Sequence, residues 1–178
     1  MNIAMIAAVA TNNLAIGYNN ELLCHIKADM QRFKSLTLGH TVVMGRSTFE
    51  SLPNHEPLKN RRNIVLTRDI EWEHEGVEIA HSINELFNLI EDEEDEIFII
   101  GGGEIYKKMI KFADTLYITW IYKEFENADT FFPKIDPKKF RADTVSEIYT
   151  TKSGIQYSFY TYNRRNSERK IKKITGTK

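Results

Sequence analysis

Cysteine is almost absent from this chain of 178 residues, which contains only Cys24. A single cysteine excludes an internal disulfide and fits a reducing compartment. Long apolar runs are missing too, since no stretch approaches the roughly 20 residues needed to cross a bilayer. The first residues are typical of a strand rather than of a signal peptide. We therefore expect a cytoplasmic protein without membrane contacts.

Neither sign of charge dominates, because 24 basic residues stand against 25 acidic ones. The length allows one domain with a proper core, which we place at residues 1–163, and a monomer is the default expectation. The acidic run 91–96 is typical of a solvated loop rather than of a metal site, so no metal is expected. The basic segment 164–178 has no aromatic residue, which favours a flexible tail over a nucleic-acid-binding element.

Short apolar runs alternate with stretches of helical periodicity along the chain, which predicts an α/β fold with a mostly parallel sheet covered on both faces. Ser82 and Glu85 form the pattern of a capping box at the start of one helix. The predicted strands are 3–9, 41–44, 63–66, 96–100, 115–121 and 157–162, and the predicted helices are 27–35, 47–52, 83–91 and 104–111.

Asp29 lies on the apolar side of the first predicted helix. Ile26, Met30 and Phe33 recur at helical spacing and share its face, which should look inward. A carboxylate among apolar neighbours is costly unless a cation or a hydrogen-bond donor meets it. Asp29 is either a helix-capping residue or a functional carboxylate, and position alone does not decide between them.

The segment VVMGRSTFESL places a strand directly before a helix. Gly45 permits a close backbone turn, and Ser47 and Thr48 lie at the start of the helix, where free N–H groups bind phosphate. Arg46 adds a planar, charged fork suited to phosphate oxygens. The alternative is that Ser47 or Thr48 only caps its own helix.

A second junction contains three consecutive glycines at 101–103, which are poor residues for the interior of a strand or helix. They suit a place where an anionic group approaches the main chain. The segment is not a Rossmann fingerprint, because Tyr106 replaces the third glycine, and no Lys-Ser/Thr follows as in a P-loop. Thr67 and Arg68 end a third strand, so the junctions together predict a dinucleotide site with an additional phosphate.

These segments resemble the dihydrofolate reductase family in sequence and in order, over nearly the whole chain. The matching segments are Ile6-Ala7-Ala8, Ile16-Gly17, Asp29 with Phe33, VVMGRSTFESL, LKNRRNIVLTR, IIGGGEIY, LYITWI and ADTFFP. The resemblance implies a mostly parallel eight-stranded sheet with an antiparallel C-terminal edge strand and about four helices. It also implies hydride transfer from NADPH to C6 of 7,8-dihydrofolate, with protonation at N5.

The resemblance further implies roles for individual residues. Asp29 would bind the pterin ring and favour its protonated form, Thr119 would hydrogen-bond Asp29, and Arg61 would pair with the glutamate tail of the substrate. The implied substrate-binding residues are Ile6, Ala7, Asp29, Met30, Phe33, Leu52, Leu58, Arg61, Ile100 and Thr119. The implied cofactor-binding residues are Ala8, Ile16, Gly17, Gly45, Arg46, Ser47, Thr48, Leu66, Thr67, Arg68, Gly101, Gly102, Gly103, Glu104, Ile105 and Tyr106.

The chain departs from the family pattern at Leu23 and Cys24, where the family usually has Pro-Trp. A thiol is smaller than an indole and a weaker donor, so we expect an altered rate or pH dependence and weaker binding of trimethoprim. A covalent role for Cys24 is disfavoured, because only His25 is adjacent as a base. Two other functions stay open at this point: a folate- and nucleotide-binding protein without turnover, and a pyrimidine reductase of riboflavin synthesis.

Overall fold

The computed structural model describes residues 1–165, which contain twelve strands, four α-helices and one short 3-10 turn at Pro53–His55. The strands are β1 (Asn2–Ala10), β2 (Ala15–Tyr18), β3 (Glu21–Leu22), β4 (Thr41–Gly45), β5 (Arg62–Leu66), β6 (Glu78–Ala80), β7 (Glu96–Gly101), β8 (Thr115–Ile121), β9 (Thr130–Phe131), β10 (Phe140–Val145), β11 (Tyr149–Thr150) and β12 (Gln156–Arg164). The helices are α1 (Lys27–Thr37), α2 (Arg46–Glu50), α3 (Ile83–Ile90) and α4 (Gly103–Met109).

The main sheet has the strand order β10-β12-β8-β1-β7-β4-β5-β6, and β11 pairs with β12 beside this path. The six strands from β8 to β6 run parallel, whereas β12 is antiparallel to both β8 and β10. The predicted eight-stranded sheet with an antiparallel edge is therefore confirmed. In detail, β10 is the outermost strand and the C-terminal strand β12 lies next to it. A small second sheet has the order β3-β2-β9.

The parallel strands are apolar on both faces because helices and loops cover both sides of the sheet. Every residue of β4 is buried, and Leu86 and Ile90 of α3 are fully enclosed in the core. The predicted cap of α3 is present, since the Ser82 hydroxyl accepts a hydrogen bond from the Glu85 amide at 3.1 Å. The capping box differs in one bond: the Glu85 carboxylate accepts from the His81 amide at 2.7 Å instead of from that of Ser82.

The last strand extends into the segment predicted as a tail. Arg164 belongs to β12, and its Nε donates to the carbonyl of Ala113 at 2.6 Å. The rest of the predicted tail, from residue 166 to 178, lies outside the described residues. Within residues 1–165, no helix is long and apolar enough to cross a membrane.

Candidate active site

A cleft of about 980 Å³ opens where β4, β5 and β7 reach their carboxyl ends. Ligands in open α/β sheets bind at this edge. The cleft contains residues from all three of the strand–helix junctions identified in the sequence. Its predicted cofactor residues are Gly45, Arg46, Ser47, Thr48, Leu66, Thr67, Arg68, Gly102, Gly103, Glu104 and Ile105.

The floor of the cleft is bare backbone at the β7–α4 junction. Gly101 has φ of +129°, a conformation that side chains disfavour, and the peptide between Gly101 and Gly102 is cis. A Cβ on Gly102 would lie 3.1 Å from the Thr48 hydroxyl, and a Cβ on Gly103 only 2.9 Å from the Thr130 methyl. Glycine at these two positions is therefore required by the packing against Thr48 and Thr130, and both residues line the cleft with backbone alone, which fits a dinucleotide.

The two arginines of the cleft differ in their partners. The positive charge of Arg46 is neutralised by two carboxylates, because its Nε donates to Glu50 at 2.6 Å and its Nη1 donates to Asp69 at 2.8 Å. Arg68, by contrast, has no carboxylate within 4.0 Å among residues 1–165. Neither Ser47 nor Thr48 caps α2 with its side chain, which removes the capping alternative.

Several cleft residues were missed by the sequence analysis. His81 lies beside Thr67, whose carbonyl oxygen is 3.0 Å from its Nδ1. It follows β6, which has only three residues and is too short to be recognised from the sequence. No ligand site was therefore expected at the end of this strand. The other missed residues are Asn20, Asp69, Ile83, Lys107, Lys108, Asp129, Thr130, Phe131, Phe132 and Pro133.

Five predicted cofactor residues do not line this cleft. Gly101 is buried beneath it, Ile16 and Gly17 lie on β2, and Ala8 packs beside Cys24. Tyr106 is only 4% exposed, and its hydroxyl donates to the carbonyl of Ile6 at 2.6 Å. Burial, with a smaller contribution from Asp29, raises the pKa of Tyr106, so the phenol stays neutral. Tyr106 thus anchors α4 to β1 from within the core.

We expect Tyr106→Phe to lower the free energy of unfolding by about 1–3 kcal/mol, because the Ile6 carbonyl loses its buried donor. Urea denaturation followed by circular dichroism measures this loss. Tyr18→Phe, at an exposed tyrosine, is the matched control. Equal stability of the Tyr106 and Tyr18 variants would contradict the anchoring role.

Asp29 lies on the first turn of α1 and faces β8. The hydroxyl of Thr119 donates to its Oδ1 at 2.5 Å, so the structure brings together two of the three residues predicted for catalysis, the third being Cys24. Burial raises the pKa of Asp29, while the Thr119 hydrogen bond and the charge of Arg32 act in the opposite direction. Ile26 occupies the N-cap position and no side chain caps the helix, so the capping interpretation of Asp29 is excluded.

Most of the apolar residues predicted for the substrate converge in one cluster, which includes Phe33, one turn after Asp29 on α1. Ile6, Phe33, Leu52, Leu58 and Ile100 belong to one apolar cluster around the buried Phe49 and Phe98. Met30 does not join them and is 44% exposed, so its predicted inward orientation is wrong. Ala7 points to the opposite face of β1 from Ile6, because side chains alternate along a strand.

Arg61 lies at the end of this apolar surface. Its Nε donates to the Thr37 hydroxyl at 2.9 Å and its Nη1 to the Lys59 carbonyl at 2.9 Å. Its guanidinium carbon is 5.9 Å from the Phe33 ring centroid. No carboxylate of the described chain lies within 4.0 Å of it, so its charge is available to a ligand.

Cys24 is half-buried and packs with Ala8 and Phe159 against Ile26 and Ile121. Burial raises the pKa of its thiol, the negative charge of Asp29 adds to this effect, and Lys123 opposes it. A neutral thiol is a poor nucleophile. The structure therefore gives no support to covalent chemistry at Cys24.

Comparison with known proteins gives one consistent family. A sequence model of the family described as dihydrofolate reductase matches residues 2–164. The chain is 48% identical over 133 residues to dihydrofolate reductase type 3 of Salmonella typhimurium, covering 75% of this chain and 79% of that protein. It is 36% identical over 168 residues to dihydrofolate reductase of Bacillus subtilis, covering 94% and 97%.

The fold agrees with a solved structure of the same family. Dihydrofolate reductase from Enterococcus faecalis, complexed with NADP(H) and RAB-propyl, superposes with a TM-score of 0.85 at 33% sequence identity. The superposition covers 93% of this chain and 97% of the other.

Proposed function

Because the chain belongs to the dihydrofolate reductase family and catalyses the NADPH-dependent reduction of dihydrofolate, we propose that its chemistry is centred on Asp29 and Thr119. The observation that carries this proposal is the hydrogen bond between the Thr119 hydroxyl and Asp29 Oδ1. Thr119 occupies one carboxylate oxygen and fixes the orientation of the group. The second oxygen, Oδ2, is then left to accept hydrogen bonds from the 2-amino edge of the pterin.

The buried carboxylate favours a positively charged partner. When bound, NADPH supplies the hydride that is delivered to C6 of the pterin. Asp29 stabilises the ring protonated at N5, since an anion in a half-buried site attracts developing positive charge more strongly than it would in water. A carboxylate bonded to the 2-amino edge cannot also reach N5, so the proton arrives there through water.

The rest of the substrate extends along the apolar cluster toward Arg61. Phe33, Leu52 and Leu58 offer a surface for the aminobenzoyl ring. Arg61 pairs with the α-carboxylate of the glutamate tail, a proposal supported by its position beside Phe33 and by its lack of a carboxylate partner in the described chain.

The adenosine 2′-phosphate of NADPH would bind at the end of β5. Arg68 has a free charge there, with Thr67 and His81 on the same wall of the cleft. Arg46 is already paired with two carboxylates, so its contribution to phosphate binding is smaller than the sequence suggested. The pyrophosphate would bind against the backbone of Gly102 and Gly103, which both line the cleft.

The proposal is tested by following absorbance of NADPH with purified protein and dihydrofolate, and by repeating the assay with NADH. We expect turnover with dihydrofolate and a clear preference for NADPH. Binding of NADPH and dihydrofolate without oxidation of NADPH would favour the alternative of a binding protein without turnover. Turnover of a ribosylated pyrimidine in place of dihydrofolate would favour the alternative reductase of riboflavin synthesis.

We further propose that the active unit is one chain, because Asp29, Thr119 and the cleft all come from a single copy. The lone Cys24 supports a cytoplasmic location. The catalytic domain, predicted at residues 1–163, is extended to Arg165 because β12 includes Arg164, and we propose that the basic segment after Arg165 is not needed for turnover. Light scattering of the purified protein and an assay of a chain shortened after Arg165 test these points.

We expect Cys24→Trp to lower the inhibition constant for trimethoprim about tenfold, because an indole fills more of the space beside Ala8 and returns a strong N–H donor. Inhibitor titrations of wild-type and variant enzymes at matched saturation measure this change. Cys24→Ser, which keeps the size of the side chain, is the control. An unchanged constant in Cys24→Trp would remove Cys24 from the account of inhibitor binding.

A further inference from the structure

Arg32 lies behind the proposed catalytic carboxylate. It follows Asp29 by three positions on α1, a spacing that places two side chains on the same side of a helix. Its guanidinium carbon is 4.7 Å from the ring centroid of Phe159 and 5.6 Å from that of Tyr117. The two rings come from the adjacent strands β12 and β8, so the guanidinium is held by the sheet.

The charge of Arg32 is not used by an ion pair. No carboxylate of residues 1–165 lies within 4.0 Å of its nitrogen atoms, and its buried Nη1 has no hydrogen-bond partner within that part of the chain. Arg46 and Arg62, in contrast, each bind two carboxylates. Burying an arginine without a partner is costly, so its retention beside Asp29 calls for a functional reason.

The other groups that face Asp29 are uncharged. Thr119 of β8 donates a hydroxyl, Cys24 before α1 carries a neutral thiol, and Tyr106 of α4 carries a neutral phenol. Around Arg32, Tyr117 donates to Glu96 of β7 at 3.1 Å, and Lys123 after β8 acts on Cys24. Arg32 is thus the cation that acts on Asp29 within the described chain.

We propose that Arg32 is a positioning residue that keeps Asp29 ionised for hydride transfer, with the Phe159 and Tyr117 rings holding the guanidinium in place. The inference rests on the role proposed above for Asp29. A guanidinium remains charged throughout the working pH range. Burial raises the pKa of Asp29, and the field of Arg32 opposes that rise together with the larger effect of the Thr119 hydrogen bond.

The test compares Arg32→Met, which keeps an unbranched apolar stem, with Arg32→Lys, which keeps the charge. Without the cation, Asp29 retains its proton to higher pH, and so the midpoint of the pH–rate profile moves upward. We expect an upward shift of about one pH unit in Arg32→Met, as for loss of an opposite charge near a carboxylate. In Arg32→Lys, the midpoint returns toward that of the wild type. Single-turnover hydride transfer, followed by NADPH fluorescence from pH 5 to 9, measures the midpoint.

Arg141→Met, at an exposed position on β10, is the matched control and should leave the midpoint unchanged. A lower rate in Arg32→Met at all pH values with an unmoved midpoint would reduce Arg32 to a packing residue and overturn the proposal. If Arg32→Met does not fold, Arg32→Gln gives the same comparison with donors retained. Should Asp29→Asn keep the wild-type rate, the proposed role of Asp29 fails independently of Arg32.

Discussion

Asp29→Asn is expected to lower kcat/KM for dihydrofolate by at least about 100-fold, the usual effect of removing one preorganised electrostatic group from an active site. The amide keeps the size of the side chain and can still accept a hydrogen bond from Thr119. It loses the negative charge that, in the mechanism we propose, stabilises the protonated pterin. The loss should therefore appear in the hydride-transfer step and not only in substrate binding.

Stopped-flow measurement of NADPH oxidation separates the two effects. Asp143→Asn, at an exposed position of β10, controls for the change from carboxylate to amide. An Asp29→Asn variant with a wild-type hydride-transfer rate would show that the carboxylate does not act in hydride transfer.

The Asp29→Asn variant should also be more stable than the wild type at neutral pH. Burial raises the pKa of Asp29 above its ordinary value of about 4, so the folded state binds a proton more tightly than the unfolded chain. The wild type then loses stability as pH rises through the interval between the two pKa values, whereas the asparagine variant does not. The difference in Tm between them should accordingly grow as pH rises through that interval and stay constant above it.

Gly103→Ala is expected to weaken NADPH binding about 10- to 100-fold, because an added methyl group in a packed junction costs about 1–3 kcal/mol. A Cβ at this position would lie 2.9 Å from the Thr130 methyl and 3.2 Å from the Phe131 carbonyl. The β9 segment must then move away from the start of α4, and both segments line the cofactor cleft.

Quenching of protein fluorescence by NADPH measures the dissociation constant of the Gly103 variant. Gly154→Ala is the control, because its backbone has φ of +84° and the residue lies in a turn away from the cleft. That substitution strains a loop without touching the site. Equal NADPH affinity in the two variants would contradict the prediction, because it would mean that β9 moves to accommodate the added methyl group without changing the shape of the cleft.

The parallel core of the fold could be predicted from the sequence because its strands are apolar on both faces. β8 was predicted with its observed bounds, Thr115–Ile121, since almost every side chain in it is buried. β10 was missed because five of its six residues are exposed, which leaves no hydrophobic period to detect. The short strands β2, β3, β6 and β9 give too few residues for a pattern.

The site could be predicted where it depends on local sequence patterns, and it could not be predicted where it depends on contacts between residues far apart in the chain. The cleft was predicted from glycines 101–103 and from Ser47 and Thr48, because these residues directly follow predicted strands. The pairing of Asp29 with Thr119 joins residues 90 positions apart and came from the family resemblance alone. The ion pair of Arg46 with Asp69 and the packing of Arg32 on Phe159 are tertiary contacts. Hydrophobic periodicity in the sequence carries no information about them.

Thr119 belongs to a strand that joins two remote parts of the chain, since it pairs with Ala8 on one side and with Phe159 on the other. Such long-range pairing is slow to form, and a partly folded chain has no pterin pocket. Ligands of this pocket therefore bind only the native state and stabilise it by about 2.7 kcal/mol at 100 times their dissociation constant. Any compound that occupies this pocket would at the same time shield the folded molecule from proteolysis, so cells exposed to such a compound should accumulate the very enzyme that it blocks.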